Sequence, residues 1–353
     1  MRNSLLLLTF SLLLLNCKAK KATLYVGTYT SEKSEGIYKF DFNMKSGKVS
    51  NQSLAINIDN PSFLAYSPNK QFMYSVNQSE DGFVSSYKIT ENGELRLQTR
   101  VSSHGKGPCH IAVNSEGTKA VVSNYGGGTV AIYPITENGT LLDATQVFDH
   151  NGKQEASHAH SAQFFKEDLF VADLGRNAVY HYYLKDDTYI LESPAIVDMK
   201  GNPGPRHFAI TKDGNFMYVI NEYGNSITSI KKTKSRFKDI DYDSTLKSDY
   251  NGKSFCADIH LSKNEKFLYG SNRGENSIAV FQRNAKDGTI EKIQNISVQG
   301  DWPRNFTLDP SGKFLLVANR RSNNISVFEI DKRSGRLSFL KDYKSPEPVC
   351  LLF

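Results

Sequence analysis

One strand-pair pattern recurs along this chain and leaves little freedom in what it can fold into. Each copy opens on a proline or a small residue, alternates through a first segment, turns at polar residues, and returns through an apolar segment ending in Asn or Asp. The copies open at Pro61, Pro108, Ala159, Pro205, Cys256 and Pro303, spaced 47, 51, 46, 51 and 47 residues apart. Their return segments end at Asn77, Asn124, Asp173, Asn221, Asn272 and Asn319. A third alternating run follows, as in Thr129-Val-Ala-Ile-Tyr-Pro-Ile. A fourth, less regular one comes after a glycine turn such as Asn92-Gly-Glu-Leu. Period-two alternation is the mark of a half-buried strand. Four such strands in each unit of roughly 40–50 residues mark a β-propeller blade.

The ends of the chain complete the count. Residues 24–55 carry three strand-like runs with no opening strand, and Pro348-Val-Cys-Leu-Leu-Phe353 matches an opening strand. The sequence therefore predicts an all-β, seven-bladed propeller of four antiparallel strands per blade. One blade is closed by the C-terminal strand joining three N-terminal ones. Closure removes open sheet edges and makes the domain, 23–353, indivisible.

Before it, Arg2 precedes an apolar run from Leu5 to Leu15, too short to span a bilayer and built like a secretory signal. Leu14-Leu15-Asn16-Cys17 resembles a bacterial lipobox, with Asn where a small residue is usual. The expectation is a signal over 1–17, lipid attachment at Cys17, a spacer over 18–22, and an exported periplasmic or envelope protein, cytoplasmic if the signal is misread. Cys109, Cys256 and Cys350 have neither the even count of a disulfide framework nor zinc spacing, and read as buried apolar residues. A formal charge of +6 without a basic block argues against nucleic acid as a partner, and leaves membrane contact to the anchor.

The register also locates a candidate site. In a blade the first strand is innermost and the second runs antiparallel beside it. The head of strand one and the tail of strand two thus meet at one mouth of the central channel. One residue after each opening position stand Ser62, Cys109, His160, Arg206, Ala257, Arg304 and Val349. One residue past each return strand stand Gln78, Tyr125, Leu174, Glu222, Arg273 and Arg320, with Tyr29 nearby in the first blade. Blades one to three are neutral there; blades four to seven bring one His, one Glu and four Arg. One carboxylate cannot neutralise four guanidinium groups, so the complement is an anionic small molecule bearing carboxylate or phosphate. A structural reading stands beside this one, with Arg206 and Glu222 as an ion pair tying two strands together and His110, His207 and His260 as packing residues.

Tyr25-Val-Gly-Thr-Tyr-Thr30, Gly107-Pro-Cys-His110, Ser123-Asn-Tyr-Gly-Gly-Gly128, His158-Ala-His-Ser161, Gly204-Pro-Arg-His207, Asn221-Glu222, Ser271-Asn-Arg-Gly274 and Trp302-Pro-Arg-Asn305 carry a resemblance. Together they resemble the seven-bladed lactonase family, which holds propeller-type 6-phosphogluconolactonases and carboxy-cis,cis-muconate cyclases. The resemblance implies that His160, Arg206, Glu222 and Arg273 are the catalytic set. The expected reaction is hydrolysis of a sugar-lactone ester, with His160 or Glu222 as base, His160 preferred, and Arg206 and Arg273 stabilising the oxyanion. Arg304, His158 and Arg320 are expected to bind substrate, and no metal or organic cofactor is implied. The alternatives are a muconate-type cycloisomerase and a non-catalytic ligand-binding envelope propeller.

Overall fold

The computed structural model describes residues 21–353 apart from 154, 193–196, 199–201 and 235, with the backbone alone at 197–198. The apolar leader and Cys17 lie outside the described residues. Every regular element among those described is a strand, and the strands form seven separate sheets. Each sheet is one blade. Six of them run in chain order from the inner strand outwards. Blade one is composite, with Pro348–Leu352 innermost, then Lys21–Thr28, Gly36–Asn43 and Val49–Asn57. Its first N-terminal strand starts at Lys21, within the stretch read from sequence as a spacer, because Lys21 pairs with Asn43 and its ammonium reaches Asp41.

The inner strands open where the repeat places them, save that blade six starts one residue earlier, at Phe255: Pro61–Tyr66, Pro108–Val113, Ala159–Phe165, Pro205–Ile210, Phe255–Leu261 and Pro303–Leu308 in blades two to seven. The return strands close on the repeated Asn or Asp, save that blade six runs one residue further, to Arg273. Blade four carries a fifth strand, Val197–Asp198, paired to its third.

The core is a set of wedges between blades. Seven apolar clusters are present, each spanning one of the seven blade–blade interfaces. Burial on both faces explains why return strands such as Phe216–Asn221 are buried throughout. The repeated Asn and Asp that end these strands are buried and hydrogen-bonded. Asn124 donates to Ser103 O and Thr129 Oγ1, and Asn272 donates to Thr245 O and Ser277 Oγ. A side-chain amide here satisfies loop backbone that would otherwise be enclosed unpaired, which is why the residue type recurs.

In blade four Asp173 takes this place and binds His150 Nδ1 at 3.1 Å, Ser157 Oγ at 2.5 Å and His158 N at 2.9 Å. A serine, a histidine and an aspartate are gathered, but Ser157 Oγ and His150 Nδ1 are both bonded to Asp173, and His150 Nε2 to the Tyr182 hydroxyl. The group is a buried strand-to-loop clasp without a nucleophile–base pair.

Candidate active site

A single-residue β-bulge opens the inner strand of every blade. Pro205 pairs with Asn221 and His207 with Ile220, which leaves Arg206 as the extra residue. The same shift singles out Ser62, Cys109, His160, Arg304 and Val349, and in blade six it falls at Ala257–Asp258. A bulge re-aims a side chain and ends regular pairing. The ring of residues one past each opening position is therefore a ring of bulges.

Three of the predicted residues come together around blade five. Glu222 Oε2 lies 3.0 Å from Arg206 Nε and 2.7 Å from Arg273 Nη2. Arg206 Nη1 donates to Ala257 O, and Arg273 donates to Cys256 O at 2.8 Å and Phe255 O at 3.4 Å. The head of one inner strand, in blade six, thus holds both guanidinium groups through its carbonyls. Ala257 contributes no bulk at its bulge, which leaves that room to the arginines. Arg206 is 1% exposed and Arg273 5%. Burial, then repulsion from Arg273 and Arg304, pulls the pKa of Arg206 down to about 9, still charged at neutral pH. Arg273 is lowered as well, chiefly by burial.

His160 is buried, and its Nδ1 has no hydrogen-bond partner among the described residues. Burial first, then the charges of Arg206, His207, Arg304 and Arg273, hold its pKa well below the ordinary imidazole range. The ring is neutral at pH 7 and able to accept a proton. Its edge meets Tyr125 at 5.6 Å between ring centroids.

The other predicted residues form the wall. Arg304 and Arg320 both sit over the ring of Tyr29, at 5.5 Å and 4.4 Å, and Tyr29 donates to Gln78 Oε1. Burial opposes the charge of Arg304, but Tyr29, Cys109, Glu222 and Tyr125 outweigh it and its pKa is raised. Of the adjacent pair, Arg321 is the exposed one and stacks on Trp302 at 3.5 Å, the ring that Arg273 also faces. His158 lies flat against Tyr125 and makes a 2.9 Å hydrogen bond to Tyr125 O, so one of its two nitrogens is already engaged. Among the described residues Glu222 pairs with two arginines only; Arg304 and Arg320 meet aromatic faces instead. The mouth keeps an excess of positive charge lined with rings that suit a polyhydroxylated ligand.

Sequence reasoning missed Trp302 as part of this wall, and it missed Asp258. Reading one residue further in register finds a second tier: Phe63, His110, Ser161, His207, Asp258, Asn305 and Cys350. His110 and His207 are buried as expected, but the side chain of His260 is 39% exposed and paired to Asp258 at 3.1 Å. It lies near the strand's far end, where the inner surface opens to the opposite face. Cys109, Cys256 and Cys350 are free and buried, and burial raises each thiol to about 12, so none is a ready nucleophile.

The chain is similar to several known proteins along most of its length. The 6-phosphogluconolactonase of Bacillus subtilis (strain 168) is 34% identical over 341 residues, covering 93% of this chain and 97% of that one. The 6-phosphogluconolactonase of Formosa agariphila is 35% identical over 308 residues, covering 82% and 87%. Among solved structures, the periplasmic gluconolactonase of Pseudomonas aeruginosa superposes with a TM-score of 0.89 at 27% identity, over 94% of this chain and 99% of that one. The family model described as lactonase, 7-bladed β-propeller, matches residues 23–353. The chain belongs to the seven-bladed β-propeller lactonase family.

Proposed function

We propose that this protein is a lactonase that opens the internal ester of an anionic sugar-acid lactone at the arginine-lined mouth, without a metal. The observation that carries the reading is the buried Arg206–Glu222–Arg273 cluster, beside an imidazole kept neutral. Hydrolysis needs a base for water and a preorganised field for the tetrahedral oxyanion. His160 supplies the first. Arg206 and Arg273, fixed by backbone carbonyls and Glu222, supply the second. Glu222 spends Oε2 on the two arginines, so its part is to hold them.

The charges make His160 responsive to substrate. Part of what depresses its pKa is the unneutralised charge of Arg206, Arg304 and Arg273. An anionic group that settles among them relieves that part and makes the imidazole a stronger base when the site is filled. The apolar leader with Cys17 and the periplasmic gluconolactonase relative support action in the cell envelope.

The test is an assay of the protein lacking residues 1–20 on glucono-δ-lactone and its 6-phospho form, corrected for spontaneous hydrolysis. Turnover lost in His160→Ala and Arg206→Ala supports the assignment. Turnover unchanged in both variants overturns it.

A further inference from the structure

Directly beneath the catalytic ring, the second tier closes the channel. Phe63 and His110 stack at 4.3 Å, His110 meets His207 at 5.5 Å, and His207 meets His160 at 5.1 Å. From the opposite face a cavity of about 530 Å³, lined by the inner strands of blades two to seven, reaches His207, Asp258 and Asn305.

Asp258 is the fixed point of that layer. It is 3% exposed and accepts hydrogen bonds from Asn305 Nδ2 at 2.6 Å, Ile259 N at 3.0 Å and Phe306 N at 3.2 Å. His260 Nε2 lies 3.1 Å from its Oδ2, and His207 Nδ1 lies 2.8 Å from its Oδ1. A carboxylate can only accept, so His207 carries its proton on Nδ1. Burial, then Arg206, lowers the pKa of His207 to about 4, so the ring is neutral and Nε2 is a lone-pair acceptor. That atom lies 3.4 Å from Arg206 Nη1.

We propose that His207, locked in one tautomer by Asp258, is a positioning residue for Arg206 in the reaction assigned above. Nη1 of Arg206 is held between Ala257 O and His207 Nε2, and Nε faces Glu222. Nε sits at ion-pair distance from Glu222 but is not hydrogen-bonded, and among the described residues Nη2 makes no hydrogen bond either, so these are the donors left for the substrate anion or the oxyanion. Without His207 the guanidinium keeps its charge but loses the support from below that fixes its rotation. The inference rests on the lactonase reading for its catalytic consequence. The positioning itself is independent of turnover.

Two conservative variants separate the halves of the imidazole. His207→Gln places an acceptor near the Nε2 position and gives up the donor to Asp258; His207→Asn keeps the donor and gives up the acceptor. Both are measured for kcat, KM, thermal midpoint and the affinity for 6-phosphogluconate by titration calorimetry. His207→Asn is expected to lose about 10–100-fold in kcat/KM, the size of a lost hydrogen bond to a charged group, with a midpoint near wild type. His207→Gln is expected to stay within about threefold of the wild-type kcat/KM, since the acceptor for Arg206 is kept, despite a lower midpoint. Wild-type kinetics in His207→Asn, or equal losses in two folded variants, would show that His207 only fills space and would overturn the proposal. If the wild type turns over neither lactone, the functional reading fails while the titration still decides this one. Weaker anion binding in His207→Asn than in His207→Gln supports it, and equal affinities overturn it.

Discussion

Glu222 is the residue on which the charge balance of the site turns. It is the shared counter-ion of two buried arginines, so Glu222→Gln leaves both underpaired. Breaking a buried ion pair from one side costs about 3–5 kcal/mol. We expect a lower thermal midpoint in Glu222→Gln, and a larger rise of that midpoint on adding phosphate than in the wild type, because the anion replaces the lost charge; equal rises in a thermal-shift titration would contradict this. The buried histidines set a second expectation. Burial is the main reason that His110, His160 and His207 are all held below the ordinary imidazole range. Unfolded, each titrates near pH 6.5, so below that pH the unfolded chain takes up protons that the folded chain refuses. Stability therefore falls as the pH is lowered, by up to about 1.4 kcal/mol per pH unit for each group. His260 works the other way: Asp258 raises its pKa against burial, and its contribution is full below pH 6.5 and lost as pH rises through the folded value. Three groups against one predict a thermal midpoint that drops between pH 7 and pH 5. His110→Phe should make that slope shallower; a slope unchanged in the variant would place the acid sensitivity elsewhere.

At the level of strands, the return strand of blade six delivers Arg273 and then turns sharply at Gly274. That glycine has φ +105, and a Cβ added to it would lie 2.2 Å from Lys253 O. Gly274→Ala must therefore move backbone next to Arg273. Gly312 makes the control: φ is +68, but an added Cβ there meets nothing closer than 3.5 Å, and its hairpin lies at the opposite face. Both substitutions should cost about 1–3 kcal/mol of backbone strain, and only Gly274→Ala should also lose kcat/KM. Equal kinetics in the two would show that the turn does not aim Arg273. The strands were legible because alternation, a glycine hairpin and a terminal Asn are local signals, and Phe72–Asn77 and Phe314–Asn319 fall where the sequence puts them. The bulges were not, because an extra residue in one strand has no residue-type marker; it appears only as a mismatch with the partner strand. His207 and Asp258 escaped for a related reason. They lie 51 residues apart on different blades, and their contact depends on blade-to-blade register, which no local pattern encodes. His160, Arg206, Glu222 and Arg273 were legible as a set because the repeat brings each of them to the same end of the same ring.

The whole molecule is a closed ring, and its closure is visible in one buried residue. Glu347 N donates to Asn323 Oδ1, and its carboxylate takes hydrogen bonds from Ser31 Oγ at 2.5 Å and Glu32 N at 2.9 Å. It joins blade seven, the C-terminal strand and the N-terminal strands at a single point. Deleting 348–353 removes the inner strand of blade one and exposes its edge and two of the interblade clusters. We expect that deletion to abolish the cooperative thermal transition, since every wedge is shared by two blades; a cooperative melt near the wild-type midpoint would contradict a ring held by closure. The same ring brings side chains from blades four, five, six and seven to one mouth, so its integrity and its chemistry are one property. The most direct test of the account is the initial rate of lactone opening by the wild type and by Arg206→Ala at neutral pH, each against the spontaneous rate. The account predicts enzyme-dependent hydrolysis by the wild type and a loss of about 100-fold or more in the variant. A wild type no faster than buffer, or an Arg206→Ala protein as fast as the wild type, would contradict it.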